Sequence, residues 1–146
     1  MCYETVIPHV IRRHVKQLRD DGTPPDLLVN VTNNAWFWGS SELEMHLACN
    51  IFRSVENGTP MVIAANGGLS GAIDSRGRVL AVSDRMQDEV VLAEVPLDAS
   101  PTVYTRRGDV VALPCLIVCV GLTIISVSKK VSSAYKQGPI DETLPS

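Results

Sequence analysis

The sequence predicts an α/β fold, helices laid on a mixed sheet, and three observations carry that reading. Two stretches with apolar residues at helical spacing, 10–18 and 43–55, alternate with short apolar runs of strand length, 27–31 and 61–65. Two further short runs, 71–74 and 79–83, flank Ser75-Arg76-Gly77-Arg78 as the arms of a hairpin flank its turn. After this pattern comes one long uncharged apolar stretch, residues 110–127.

Each element has its own signals. Pro8 can open a helix because its missing N–H is one of the donors a first turn leaves unused, and Val10, Ile11, Val15 and Leu18 mark one face. Asp20-Asp21-Gly22 and Pro24-Pro25 close it. The first strand ends in a polar-aromatic loop, Thr32-Asn33-Asn34-Ala35-Trp36-Phe37-Trp38-Gly39. Ser41 with Glu44 forms a capping box for the second helix, whose stripe is Leu43, Leu47, Ala48, Ile51, Phe52 and Val55. Gly58 and Pro60 end that helix, Asn66-Gly67-Gly68 is a turn, and residues 90–95 read as a last strand. The order helix, strand, helix, strand, hairpin, strand is that of helices stacked on a mixed sheet.

With 146 residues there is room for one domain and its core. The formal net charge is −3 and the 13 basic residues form no long run, which leaves nucleic-acid binding without support. Cys2, Cys49, Cys115 and Cys119 lack zinc-like spacing, and no metal or cofactor is expected. The first residues do not read as a secretory signal peptide. As a helix, residues 110–127 would reach about 27 Å, near the lower limit for crossing a bilayer. Pro114 sits one turn inside that stretch, where it is tolerated. Lys129-Lys130 behind it favour a cytoplasmic C-terminus, with the α/β part on the other side of the membrane. The expected organisation is an α/β half-domain over 1–105, a transmembrane helix over 110–127 and a polar, disordered tail over 128–146.

Cys2 lies two residues before Glu4 and a few residues before the first helix. A thiol attacks only as the thiolate, which needs a base, a positive charge or a helix N-terminus nearby, and such a start also aims backbone N–H groups at an oxyanion. Cys2-Tyr3-Glu4, Leu28 to Phe37, His46, Arg53-Ser54-Val55-Glu56-Asn57 and Asn66-Gly67-Gly68-Leu69-Ser70 together resemble the carbon–nitrogen hydrolase (nitrilase) superfamily. Within it the chain is most like the apolipoprotein N-acyltransferase family, membrane enzymes that complete bacterial lipoproteins. The resemblance runs from Met1 through the apolar stretch.

This resemblance implies the C-terminal half of an αββα sandwich followed by one transmembrane helix, in the bacterial inner membrane with the sandwich on the periplasmic side. It implies a Glu, Lys and Cys triad in which Cys2 is the nucleophile. Cys2 would take an acyl chain from a phospholipid as a thioester and pass it to the α-amine of a diacylglyceryl-cysteine apolipoprotein. Tyr3 and Glu4 would support the nucleophile, Glu4 orienting the second substrate or the lysine, unless Glu4 simply complements a helix start. Asn34, Trp36, Phe37 and His46 are candidates for the substrate pocket, the aromatics with Trp38 either walling an acyl chain or packing in the core. His46 is either a site residue or an ordinary helix-surface histidine. Arg53 with Glu56 reads as an i, i+3 ion pair of structural use, and Asn66 belongs to the same structural motif.

Three positions depart from the family pattern: Asn34 where Asp is usual, Trp38 where Gly is common, and Ser40 to Glu44 in place of a Gly-Pro stretch. The family's triad Glu and Lys would precede Cys2, so the chain is expected to be a fragment, inactive alone and in need of a complementary N-terminal half. A soluble nitrilase-type amidase and a non-catalytic membrane-anchored remnant are the alternatives.

Overall fold

The computed structural model describes residues 4–136, with side chains through residue 130. It forms two units, residues 1–108 and 109–146, taken separately here.

The first unit opens with a 3₁₀ turn, Glu4–Val6, which leads into helix α1, Pro8–Asp20. Pro8 stands at the start of α1 and the chain reverses at Asp21 and Gly22, as the sequence predicts. Strand β1, Leu28–Asn33, a 3₁₀ turn, Ala35–Phe37, and helix α2, Glu42–Asn57, follow. Strands β2, Met61–Asn66, β3, Gly71–Ile73, and β4, Val79–Val82, complete one sheet in the order β1-β2-β3-β4. β1 and β2 are parallel, with Leu28 opposite Met61 and Asn33 opposite Asn66, and the other two pairings are antiparallel. The sheet is therefore mixed, and the helix-bearing connection between the parallel strands is what such a pair requires.

The hairpin turn between β3 and β4 is tied by Asp74. Its Oδ1 accepts the backbone N–H groups of Arg76 and Arg78, at 3.0 and 2.8 Å, and its Oδ2 accepts from Arg78 Nε at 2.6 Å. Burial alone would push the buried Asp74 carboxyl up, but these bonds and the Arg78 charge outweigh it and hold the group below its usual range.

Met61, Ile63 and Ile73 form the apolar core, with Leu28, Leu47, Ile51 and Ala65 packed on it. The core is small because β1 turns polar residues inward: Asn30 and Thr32 are buried, while Val29 and Val31 are 65% and 64% exposed on the opposite face. α2 turns both kinds of residue inward. Leu43 is buried and Leu47 and Ile51 pack on the core, beside buried His46, Asn50, Arg53 and Asn57, while Met45, Phe52 and Val55 point to solvent.

Gly58 caps α2 in the left-handed region, φ +57°, and a Cβ there would lie 2.1 Å from the carbonyl oxygen of Ser100, so glycine is required twice over. That contact joins α2 to helix α3, Val103–Arg107. Thr102 caps α3 by accepting from the Thr105 N–H, and both threonine hydroxyls donate to the carbonyl of Glu56. Arg12 of α1 donates from Nε to the Tyr104 carbonyl at 2.7 Å and lies 5.8 Å from the center of the Tyr104 ring.

Two local expectations fail. The expected strand over 90–95 is extended chain without a ladder partner, and Val90 and Leu92 are exposed. The expected capping box is absent because Ser41 has helical backbone angles and makes no side-chain cap, while Glu44 pairs with Arg85.

The second unit holds helix α4, Ala112–Lys136, with Pro114 in its first turn and the Ala112 N–H bonded to Asp109 Oδ1. From Ala112 to Lys130 its mean hydropathy is 2.0 and none of it is buried. Cys115 and Cys119 carry free, exposed thiols along it. The helix runs nine residues beyond 127, because Lys129 and Lys130 are good helix formers and no glycine or proline intervenes before Lys136. The rest of the expected tail, 137–146, lies outside the described residues.

Candidate active site

Cys2 and Tyr3 lie outside the described residues; the chain directly after them is held as follows. Glu4 and Thr5 sit in the first 3₁₀ turn, Thr5 buried and Glu4 half-buried. Thr5 is the anchor. Its hydroxyl oxygen is 3.1 Å from His46 Nε2 and 3.4 Å from Asn30 Nδ2, and its carbonyl accepts from an Arg53 NH group at 3.2 Å. Two residues of α2 and one of β1 therefore fix the backbone three residues after Cys2.

The anchors are themselves anchored. Asn30 Nδ2 also donates to Asn50 Oδ1 at 2.9 Å, and Asn50 Nδ2 donates to the His46 carbonyl at 2.8 Å. Thr32 Oγ1 donates to Asn34 Oδ1, and Asn34 Nδ2 lies 2.9 Å from His46 Nδ1. The Asn34 amide nitrogen can only donate, so Nδ1 accepts and Nε2 carries the proton toward Thr5. The imidazole is thus the neutral tautomer. Burial holds its pKa below the usual histidine value, against an opposing pull from Glu42. Neutrality follows because burial among amides and hydroxyls penalizes the cation more than Glu42 favors it.

His46 is 2% and Arg53 4% exposed, which removes the alternative of an ordinary helix-surface histidine. Arg53 does pair with Glu56, at 2.7 Å, but the same guanidinium holds the Thr5 carbonyl, so the pair belongs to the interior rather than to a solvated helix side. Asn34 is buried and acts as a donor, a role that a carboxylate at this position would not have. Trp36 and Phe37 occupy the second 3₁₀ turn with ring centers 6.4 Å apart, and Trp36 Nε1 donates to the Asn33 carbonyl at 2.7 Å. Trp36 is exposed and Trp38, at φ +50°, is 87% exposed, so neither is a core aromatic. Asn66 joins the ends of the parallel strands: its side chain donates to Asn33 Oδ1 and its carbonyl accepts the Asn34 N–H.

Sequence reasoning passed over Thr5, Asn30, Thr32 and Asn50. The signal was present: Asn30 and Thr32 alternate with Val29 and Val31, which puts the polar pair on one face of β1, and Asn50 follows His46 by one helical turn.

The carbon–nitrogen hydrolase family model matches residues 1–103, most of the chain. The chain belongs to that family. Among carbon–nitrogen hydrolase relatives, the apolipoprotein N-acyltransferase of Geobacter metallireducens is 39% identical over 116 residues, 80% of this chain and 21% of that protein. The enzyme of the same name from Rickettsia bellii is 36% identical over 115 residues, 77% of this chain and 21% of that protein. The chain thus spans about a fifth of the length of these relatives. A carbon–nitrogen hydrolase from Helicobacter pylori G27 matches the fold with a TM-score of 0.53 at 14% identity, over 74% of this chain and 41% of that one. The mixed sheet with its flanking helices is therefore a carbon–nitrogen hydrolase architecture.

Proposed function

We propose that this chain supplies the nucleophile, and the frame that holds it, to an apolipoprotein N-acyltransferase. The observation that carries the proposal is the anchoring of Thr5 by His46, Asn30 and Arg53, which fixes the turn Glu4–Val6, next in sequence after Cys2 and Tyr3, to β1 and α2. The identity to enzymes of that name supports the substrate class.

In the proposed reaction the Cys2 thiolate attacks the acyl ester carbonyl of a phospholipid. The tetrahedral intermediate expels the lysophospholipid alkoxide, which takes up a proton, and the acyl group remains as a thioester. The α-amine of a diacylglyceryl-cysteine apolipoprotein then attacks the thioester, loses a proton, and leaves as the amide while the thiolate is regenerated. Both half-reactions pass through one covalent intermediate. Glu4 and Tyr3 flank the nucleophile, and Glu4 lines a groove of about 270 Å³ with Thr5, Val29, Asn30 and Val31. Trp36 and Phe37 offer an apolar wall to the acyl chain.

The triad's Glu and Lys are assigned to a complementary N-terminal half. Lys16 is engaged by Asp20 on the exposed side of α1, which removes it as a candidate. The exposed Val29 and Val31 face of the sheet is where the second sheet of an αββα sandwich would pack. Alone, the chain is proposed to be inactive. α4 is proposed to span the inner membrane: its apolar part, the 19 residues Ala112–Lys130, makes about 28 Å of helix against a hydrocarbon core of about 30 Å. The α/β unit would then face the periplasm and the C-terminal tail the cytoplasm.

The test is transfer of labeled acyl chain from phospholipid to Cys2, read as hydroxylamine-sensitive label, with the chain alone and with an added half supplying Glu and Lys. Label only in the combination, lost in Cys2→Ala, is the expected result. Label on the chain alone refutes the need for a partner, and no label in either refutes Cys2 as nucleophile. The amidase reading makes no use of α4; detergent-free solubility of the full chain, with ammonia released from small amides, would favor it.

A further inference from the structure

Away from the Thr5 network, α1 and the region of α3 enclose an open cleft of about 420 Å³, within the size range of small-ligand sites. α1 lines it with Lys16, Arg19 and Asp20, and the α3 side contributes Thr105 and Arg106. The charges in this cleft do not balance. Asp20 is engaged by Lys16, one turn before it on the same helix. Among the described residues Arg19 and Arg106 enter no ion pair.

The two guanidiniums nevertheless feel one another. Burial holds the Arg19 pKa below its ordinary value, and the charge of Arg106 lowers it further. Arg19 gives one NH₂ group to the Asn57 carbonyl at 3.4 Å and to Thr59 Oγ1 at 3.2 Å, while its Nε has no acceptor among the described residues. Two cations that line one cleft repel, and an anion between them would relieve that repulsion. A guanidinium fork matches the tetrahedral oxygens of phosphate better than any other side chain.

We propose that this cleft binds a phosphate group between Arg19 and Arg106. The same chemistry is offered by a phospholipid headgroup, a phosphodiester, and by a soluble phosphate monoester or inorganic phosphate. Arg106 precedes the first residue of the apolar helix α4, Ala112, by six positions in sequence.

The experiment is equilibrium dialysis of the full chain, purified in mild detergent from cells that express it, against radiolabeled inorganic phosphate and, separately, labeled glycerophosphoglycerol. Saturable binding that weakens as salt rises is expected. Arg106→Gln removes one exposed guanidinium without touching the bonds of Arg19 and should weaken binding about tenfold or more, as loss of a charge-assisted pair does. Arg107→Gln, which does not line the cleft, should leave binding unchanged, and circular dichroism checks that both variants keep their helices. Tighter binding of the diester identifies lipid headgroups as the source, and tighter binding of inorganic phosphate identifies a soluble ligand. Absence of saturable binding to the wild-type chain, or equal binding by Arg106→Gln, overturns the proposal.

Discussion

Replacing Arg53 with Met separates two descriptions of the same residue. As a solvated i, i+3 partner of Glu56, Arg53 would be worth roughly 0.3–0.5 kcal/mol. The structure makes it an interior donor, 4% exposed, that holds the Thr5 carbonyl at 3.2 Å and Glu56 Oε1 at 2.7 Å. Met fills a similar volume but donates nothing. The buried Thr5 carbonyl then loses a charged donor, a loss of about 1.5–3 kcal/mol. Glu56 loses its counter-charge as well; its side chain is 24% exposed, so water compensates in part and about 1 kcal/mol remains. The expected destabilization is about 3 kcal/mol, a large share of the roughly 5–15 kcal/mol that holds a domain together. Pulse proteolysis across a urea series in detergent reads it, because cleavage reports the folded fraction of the α/β unit and does not depend on the micelle-embedded helix. Lys16→Met, which breaks the exposed pair with Asp20, is the control and should cost no more than about 0.5 kcal/mol. If Arg53→Met costs less than about 1 kcal/mol, the interior role assigned to Arg53 is wrong.

Four further outcomes are expected. Because the folded state holds His46 below its unfolded pKa, the unfolded chain binds more protons on the acid side; the His46 contribution is complete above about pH 6.5 and is lost as pH falls from there toward the folded value, a slope that His46→Gln should remove from urea midpoints taken across that range. Asn34→Asp places a carboxylate beside His46 Nδ1 in place of an amide donor, so the histidine pKa should rise, read by proton NMR titration of the ring; no change would mean that the amide does not face the ring. Asp74→Asn turns an acceptor toward Arg78 into a donor and should cost about 1.5–3 kcal/mol at neutral pH; the depressed carboxyl contributes above about pH 4 and is lost as pH falls through its folded value, so this acid limb should flatten in the variant's unfolding curves. Trp38→Gly relieves a left-handed backbone that costs an L-residue about 1 kcal/mol, so the thermal midpoint should rise by about 2–4 °C, and a fall would show that the exposed indole makes a stabilizing contact.

The order of elements was legible because it rests on punctuation. Pro8, the Asp21-Gly22 reversal, Gly58 with Pro60 and the Ser75 to Arg78 turn act through backbone geometry, which is local and does not depend on what packs where. The facing of α2 was not legible in the same way. Hydrophobic periodicity assumes that the apolar stripe alone turns inward; Leu43, Leu47 and Ile51 do so, but Phe52 is 61% exposed while His46, Asn50 and Arg53 are enclosed. That arrangement holds because His46, Asn50 and Arg53 each meet a partner on the first turn or β1, and these partners lie 20 to 48 residues away; only the Asn50–His46 bond is local. The expected strand over 90–95 fails for a related reason: alternation describes a surface, and a strand also needs a neighbor's open edge. Of the candidate site residues, Asn34 and His46 prove to be in direct contact, while Trp36 and Phe37 share a separate turn.

The polar groups that α2 encloses also bear on the order in which the unit assembles. Collapse is driven by apolar burial, and the residues able to drive it here are Met61, Ile63 and Ile73 with their neighbors on the β2–β3 side. A helix face of His46, Asn50 and Arg53 gains nothing from leaving water until Thr5, Asn30 and Asn34 are all in place to receive it. The hydrophobic cluster therefore forms early and the polar seam closes late and together, since a half-made seam leaves buried groups unmet. Opening follows the reverse sequence: the turn that follows Cys2 is the first part of the interior to come loose, and its amides should exchange with solvent sooner than those of β2. The order of the turn Glu4–Val6 is thus set by the last step of folding rather than by the stability of the core.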